Sequence, residues 1–117
     1  MTAVTIYGIP NCDSTIKAIN WLKKNNILYT FHDYKKEGIT LAKLNEWTKI
    51  SGWEILLNKK GTTWKKIEPS IQSTIKNSKL AAKLMQNQTS LIKRPILEVA
   101  GTIVVGFSEA AYQENLI

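Results

Sequence analysis

The sequence predicts an α/β fold: a βαβ unit, a helical segment and a C-terminal β-hairpin. Three observations carry that prediction. An apolar, β-branched run at 3–8 is followed by a helical pattern and a second β-rich run within about 30 residues, the size of a βαβ unit. A lysine-rich middle of helical periodicity follows. Two short apolar runs then flank Ala100-Gly101, as in a hairpin.

Each element has its own reason. In "AVTIYG" (3–8) Val4 and Ile6 alternate onto one face, and Gly8, Pro10 and Asn11 break the strand. From Asp13 to Lys24 the pattern is helical, with Ile16, Ile19 and Leu22 three apart, and Asn25-Asn26 ends it. "ILYTFHDY" (27–34) is aromatic and β-branched, the composition of a strand, and should run parallel to the first. "TLAKLNEWTKI" (40–50) is an amphipathic helix that stops at Ser51-Gly52. A short helical turn and a polar loop at Gly61 come next. Pro69 suits a first helical position, with Ile71 and Ile75 on one face, and "KLAAKLMQNQ" reads as another helix. After the hairpin in "RPILEVAGTIVVGF", Ser108 caps a last helix and Glu109 sits in its first turn. The order β-α-β, helical insert, β-β, α is that of a thioredoxin fold with a helical insertion between the second and third strands. One thioredoxin-like domain is expected over 1–117, with its core at about 1–36 and 91–117 and the insert at about 37–90.

Composition narrows the function classes. The chain has 117 residues, 44% of them hydrophobic, enough for one packed core. No apolar run approaches 18 residues and no secretory leader is expected, so neither a membrane role nor secretion is predicted. A cytoplasmic location follows as an expectation, and the "NQT" acceptor at Asn87 carries little weight there. The net charge is +7, yet fifteen of the sixteen basic residues are lysine and only Arg94 is arginine. Nucleic-acid readers rely on the forked guanidinium, so sequence-specific nucleic-acid binding is not expected. One cysteine excludes an intrachain disulfide and any multi-cysteine metal site, and no metal ligands are assigned. His32, the only histidine, is read as structural, and the four tryptophans (Trp21, Trp47, Trp53, Trp64) as packing residues.

Cys12 sits where the chain leaves the first strand and begins a helix. Ligands of open α/β sheets bind at the carboxyl ends of strands, and a helix N-terminus favours a thiolate. Asp13 opposes that effect in part. In "CDST", Thr15 stands where a dithiol oxidoreductase carries its second cysteine, so a mixed disulfide must be resolved by an outside thiol. The Thr15 hydroxyl is a candidate partner for the thiolate. Arg94 precedes Pro95 at the entry to the third strand; a cis proline there brings backbone close to the first helix and lets Arg94 face Cys12. The guanidinium then favours the thiolate and holds an anion in a bidentate fork.

Taken together, "YGIPNCDSTIKAINWL", "FHDYKKEG", "GWEILLNKKGTTWKKI", "LIKRPILEV" and "GFSEAAYQ" resemble the arsenate reductase-like (ArsC/Spx/YffB) family of the thioredoxin superfamily, nearest to its YffB-type members. The resemblance implies a thioredoxin-like fold, Cys12 as nucleophile, the Arg94-Pro95 pair, and a thiol or oxyanion substrate. Arsenate reductases of the family use further arginines, near Asn58 and near Phe107, and this chain has neither; Lys59 or Lys60 supplies charge without a fork. Thr15 removes the CxxC switch of many Spx proteins. The expected function is therefore a glutathione-dependent thiol–disulfide reductase with Cys12 and Arg94 catalytic and Asn11, Thr15, Lys60 and Pro95 at the substrate. No bound cofactor is expected. Glutathione is the expected reducing co-substrate, and the partner is glutathione or a thioredoxin- or glutaredoxin-like reductant. The alternative is an Spx-like regulator that docks on RNA polymerase through its basic insert.

Overall fold

The computed structural model describes residues 3–117. Its sheet is formed by β1 (Val4–Gly8), β2 (Thr30–Asp33), β3 (Ile96–Val99) and β4 (Thr102–Val105) in the order β2-β1-β3-β4. β1 and β2 are parallel, and β3 is antiparallel to both β1 and β4. Between β1 and β2 lies α1 (Asp13–Lys24), and a four-residue helix α2 (Tyr34–Glu37) follows β2 directly. The middle of the chain is helical: α3 (Leu41–Ser51), α4 (Trp53–Leu56), α5 (Thr62–Lys65), α6 (Pro69–Gln72), α7 (Ser78–Asn87) and a 3-10 turn at Thr89–Leu91. The chain closes with α8 (Glu109–Leu116). This is the thioredoxin-like α/β fold with a helical insertion before the third strand.

Two compact units divide the chain: Met1–Glu37 with Arg94–Ile117, and Gly38–Lys93. The first holds the sheet. Val4, Ile6, Leu97 and Val99 bury one face of it under Ala18, Trp21 and Leu22 of α1 and Tyr112 of α8. The second has its own apolar centre, where α3 and α7 pack together and bury Leu44, Trp47, Leu56, Leu57, Ala81, Ala82 and Met85.

Local structure differs from the sequence reading in three places. The apolar face of α1 consists of Thr15, Ala18, Trp21 and Leu22, while Ile16 is 42% exposed. A strict three-residue spacing drifts around a helix of 3.6 residues per turn, and the face that meets β1 is set one residue earlier. β2 is shorter than 27–34. Its register with β1 starts at Thr5↔Thr30, Leu28 is 75% exposed, and Tyr34 begins α2 because Asp33 Oδ1 accepts the Lys35 N–H (2.9 Å). The helix at Pro69 spans one turn, so Ile71 and Ile75 form no buried stripe; Ile71 is exposed. The α1 terminus follows the expectation at Asn25-Asn26. Asn26 takes a φ of 56°, Ile27 N–H donates to the Leu22 carbonyl (2.9 Å) and Asn26 N–H to that of Lys23 (3.1 Å), a Schellman ending. Ala100 (φ 50°) and Gly101 (φ 75°) form the hairpin turn, both left-handed as its geometry requires.

Candidate active site

Cys12 is the N-cap of α1. Its backbone is extended (φ −104°, ψ 124°) and its carbonyl accepts the Ile16 N–H at 2.9 Å. At an N-cap, serine or asparagine normally offers oxygen to the N–H groups two and three residues on. Here sulfur occupies that place, facing the N–H groups of Ser14 and Thr15. Partial burial pushes the thiol pKa up. The Thr15 N–H, the Thr15 hydroxyl, the Ser14 N–H and the charge of Arg94 together outweigh that, and the net shift is downward. The neutral side chain makes no cap hydrogen bond of regular geometry. The N–H groups act on the sulfur as oriented dipoles, and ionisation strengthens their pull.

Thr15 is buried, with its Oγ1 lacking a hydrogen-bond partner of regular geometry. It packs against Gly8 so closely that a Cβ on Gly8 would lie 2.5 Å from Thr15 Oγ1 and 2.9 Å from Cγ2. Gly8 is thus required by contact rather than by φ. Its importance is hidden in the sequence, where it reads as a strand terminator. The hydroxyl expected near the thiolate is present, held by packing rather than exposed on the surface.

The Arg94–Pro95 peptide is cis, as expected, and the Pro95 carbonyl accepts the Gly106 N–H at 2.8 Å. Arg94 is half-buried, and its charge reaches both Cys12 and Tyr34. Among the described residues no carboxylate lies within ion-pair distance of its guanidinium. Tyr34 is a residue the sequence reading missed. Burial holds its phenol well above the ordinary range, Tyr7 raises it further, and Arg94 works against both; its hydroxyl has no partner. Tyr7 stacks at a tilt on His32 (4.7 Å between centroids) and its hydroxyl donates to Glu98 Oε1 (3.1 Å). His32 Nδ1 lies 3.8 Å from Glu37 Oε2.

Asn11 is exposed, immediately before Cys12. Lys60 belongs to the other unit. There Asn58 Oδ1 accepts the N–H groups of Lys60 (3.1 Å) and Gly61 (3.2 Å), and Asn58 N–H donates to the Leu91 carbonyl (2.7 Å). Lys59 Nζ lies over both Trp53 (5.9 Å) and Trp64 (5.5 Å), so two of the four tryptophans clamp a lysine. Cys12, Thr15 and Arg94 are thus brought together within one unit.

Fold and site define a thioredoxin-like protein whose one cysteine caps its first helix. The chain belongs to the ArsC family, whose model matches residues 7–115. It is similar to a solved YffB protein, 39% identical with a TM-score of 0.94 over 98% of this chain and all of the other. A second solved structure, an arsenate reductase (ArsC) related protein from Brucella melitensis, is 46% identical over 96% of this chain and 92% of that one, with a TM-score of 0.76. The global transcriptional regulator Spx of Staphylococcus haemolyticus is 27% identical over 91% of this chain and 81% of its own length.

Proposed function

We propose that the protein is a glutathione-dependent thiol–disulfide reductase that works through Cys12 alone and acts in the cytoplasm. The observation that supports this reading best is the position of Cys12: a half-buried sulfur at a helix N-cap, beside an arginine that has no carboxylate partner among the described residues. The Cys12 thiolate attacks the glutathionyl sulfur of a mixed disulfide. The Cys12–glutathione disulfide forms, the substrate sulfur leaves as thiolate and takes up a proton. A glutathione thiolate then attacks the bound glutathionyl sulfur, releasing oxidised glutathione and returning Cys12 as thiolate. Glutathione supplies the two electrons, and no second protein thiol is needed. Arg94 stabilises the thiolate and holds a glutathione carboxylate, and the chain at Asn11 and Pro95 supports the peptide backbone of the ligand. A single fork favours a carboxylate over the tetrahedral arsenate oxyanion, which presents several oxygens and needs several forks.

The test is intact mass after incubation with oxidised glutathione. One added glutathionyl unit, absent in Cys12→Ser and removed by reduced glutathione with turnover of a glutathionylated substrate, is the expected result. An unmodified wild-type protein overturns the reading. Similarity to Spx keeps one alternative, a regulator that binds RNA polymerase. Stoichiometric polymerase subunits retained by the protein, with no glutathione turnover, favour that alternative.

A further inference from the structure

The charge of this protein is divided sharply between its two units. The sheet-bearing unit carries six basic and six acidic side chains, whereas Gly38–Lys93 carries ten lysines against three acids. The whole net charge of +7 therefore resides on the helical unit. Within that unit a groove of about 380 Å³ runs between α3 and α7, lined by Leu41, Asn45, Ser78, Lys79, Ala82 and Lys83. Leu41 is 38% exposed. α7 contains no acidic residue, and Lys79 and Lys83 stand four apart on it. Like charges at that spacing destabilise a helix.

We propose that this groove binds an acidic segment of a partner protein, with one or two aliphatic side chains over Leu41 and Ala82 and carboxylates against Lys79 and Lys83. Charge complementarity selects the acidic character, and the apolar floor selects a peptide over a nucleic acid. Three features oppose nucleic acid as the occupant. All ten basic residues of the unit are lysine, without the fork that reads bases and phosphates. Trp53 and Trp64 are engaged by Lys59 and offer no free stacking platform. Phosphate contacts alone have no use for exposed leucine. The inference is independent of the chemistry at Cys12.

Fluorescence anisotropy with defined probes tests it. The probes are a fluorescein-labelled twelve-residue peptide, rich in glutamate with leucines four apart, the same peptide with serine for leucine, and a labelled oligothymidylate of matched charge. The leucine peptide should bind most tightly, about fivefold or more above the serine peptide, and lose about tenfold with Lys79→Glu/Lys83→Glu. Leu41→Ser, at an exposed position, should weaken the leucine peptide and leave the serine peptide unchanged. Circular dichroism checks that each variant is folded, and Lys79→Ala and Lys83→Ala give smaller losses should the double reversal unfold. Equal binding of both peptides, tighter binding of oligothymidylate, or indifference to all groove substitutions overturns the proposal.

Discussion

Cys12 is a poor choice for stability and a good one for thiol chemistry. A serine at the same N-cap supplies oxygen to the Ser14 and Thr15 N–H groups, so Cys12→Ser should raise stability by about 0.5–1 kcal/mol near neutral pH while abolishing alkylation and glutathionylation. The gap should narrow with pH. The folded thiol titrates below its ordinary value, so its ionisation stabilises the fold above the unfolded thiol pKa, and that contribution is lost as pH falls through the folded one. Urea unfolding of both proteins between neutral pH and about 9.5, above the free-thiol value, checks the sign. Thr15→Val separates packing from chemistry at the next residue of the site. Valine keeps the β-branched shape against Gly8 and removes a hydroxyl without a regular partner, so the melting midpoint should hold or rise while the Cys12 alkylation profile moves to higher pH. For Arg94, lysine keeps the charge and loses the fork. Arg94→Lys should leave the thiol titration nearly in place and weaken glutathione binding by roughly 1.5–3 kcal/mol. Arg94→Ala should do both kinds of damage, seen as an upward pH shift in alkylation and loss of glutathionylation.

At the scale of elements, α1 carries the candidate site because two other elements hold it. β1 ends in a glycine that admits Thr15, and α8 packs Tyr112 into the same core as Trp21 and Leu22. Tyr112 of α8 meets Trp21 edge-on at 5.6 Å between centroids and Phe107 likewise at 5.0 Å. Its phenol is fully buried with no hydrogen-bond partner, and burial drives its pKa far up. The ring therefore stabilises while the hydroxyl does not. Tyr112→Phe should leave the unfolding midpoint unchanged or higher, and Tyr112→Ala should cost about 3–5 kcal/mol, as for other aromatic truncations in a core. Chemical denaturation of the two variants distinguishes these outcomes directly.

Across the whole molecule, electrostatics is lopsided. With the net charge of +7 confined to residues 38–93, lysine repels lysine in the helical unit, and Lys43–Glu46 (3.4 Å) is a partly exposed pair of small effect. Screening should relieve this repulsion, so the melting temperature should rise from about 10 to 300 mM sodium chloride as the Debye length contracts well below 10 Å. A fall over the same range would mean that attractive pairs dominate instead. No helix among the described residues is long and apolar enough to cross a membrane.

The sequence alone determined the element order, because periodicity, the Asn25-Asn26 ending, the Ala100-Gly101 turn and the Ser108 cap are all local signals. The cap is seen directly, with Ser108 Oγ accepting the Ala111 N–H at 3.2 Å. It also marked Cys12 and Arg94, since a lone thiol at a strand–helix junction and a lone arginine before proline stand out against a lysine-rich chain. Tertiary structure decided the rest. Which face of α1 is buried, where β2 begins, why Gly8 must be glycine and that Tyr34 senses Arg94 depend on contacts between segments far apart in the chain. Local propensity has no knowledge of a neighbour that arrives only when the sheet assembles. The lysine-rich middle was itself legible in the sequence; what packing added is that this stretch forms a compact unit of its own, Gly38–Lys93.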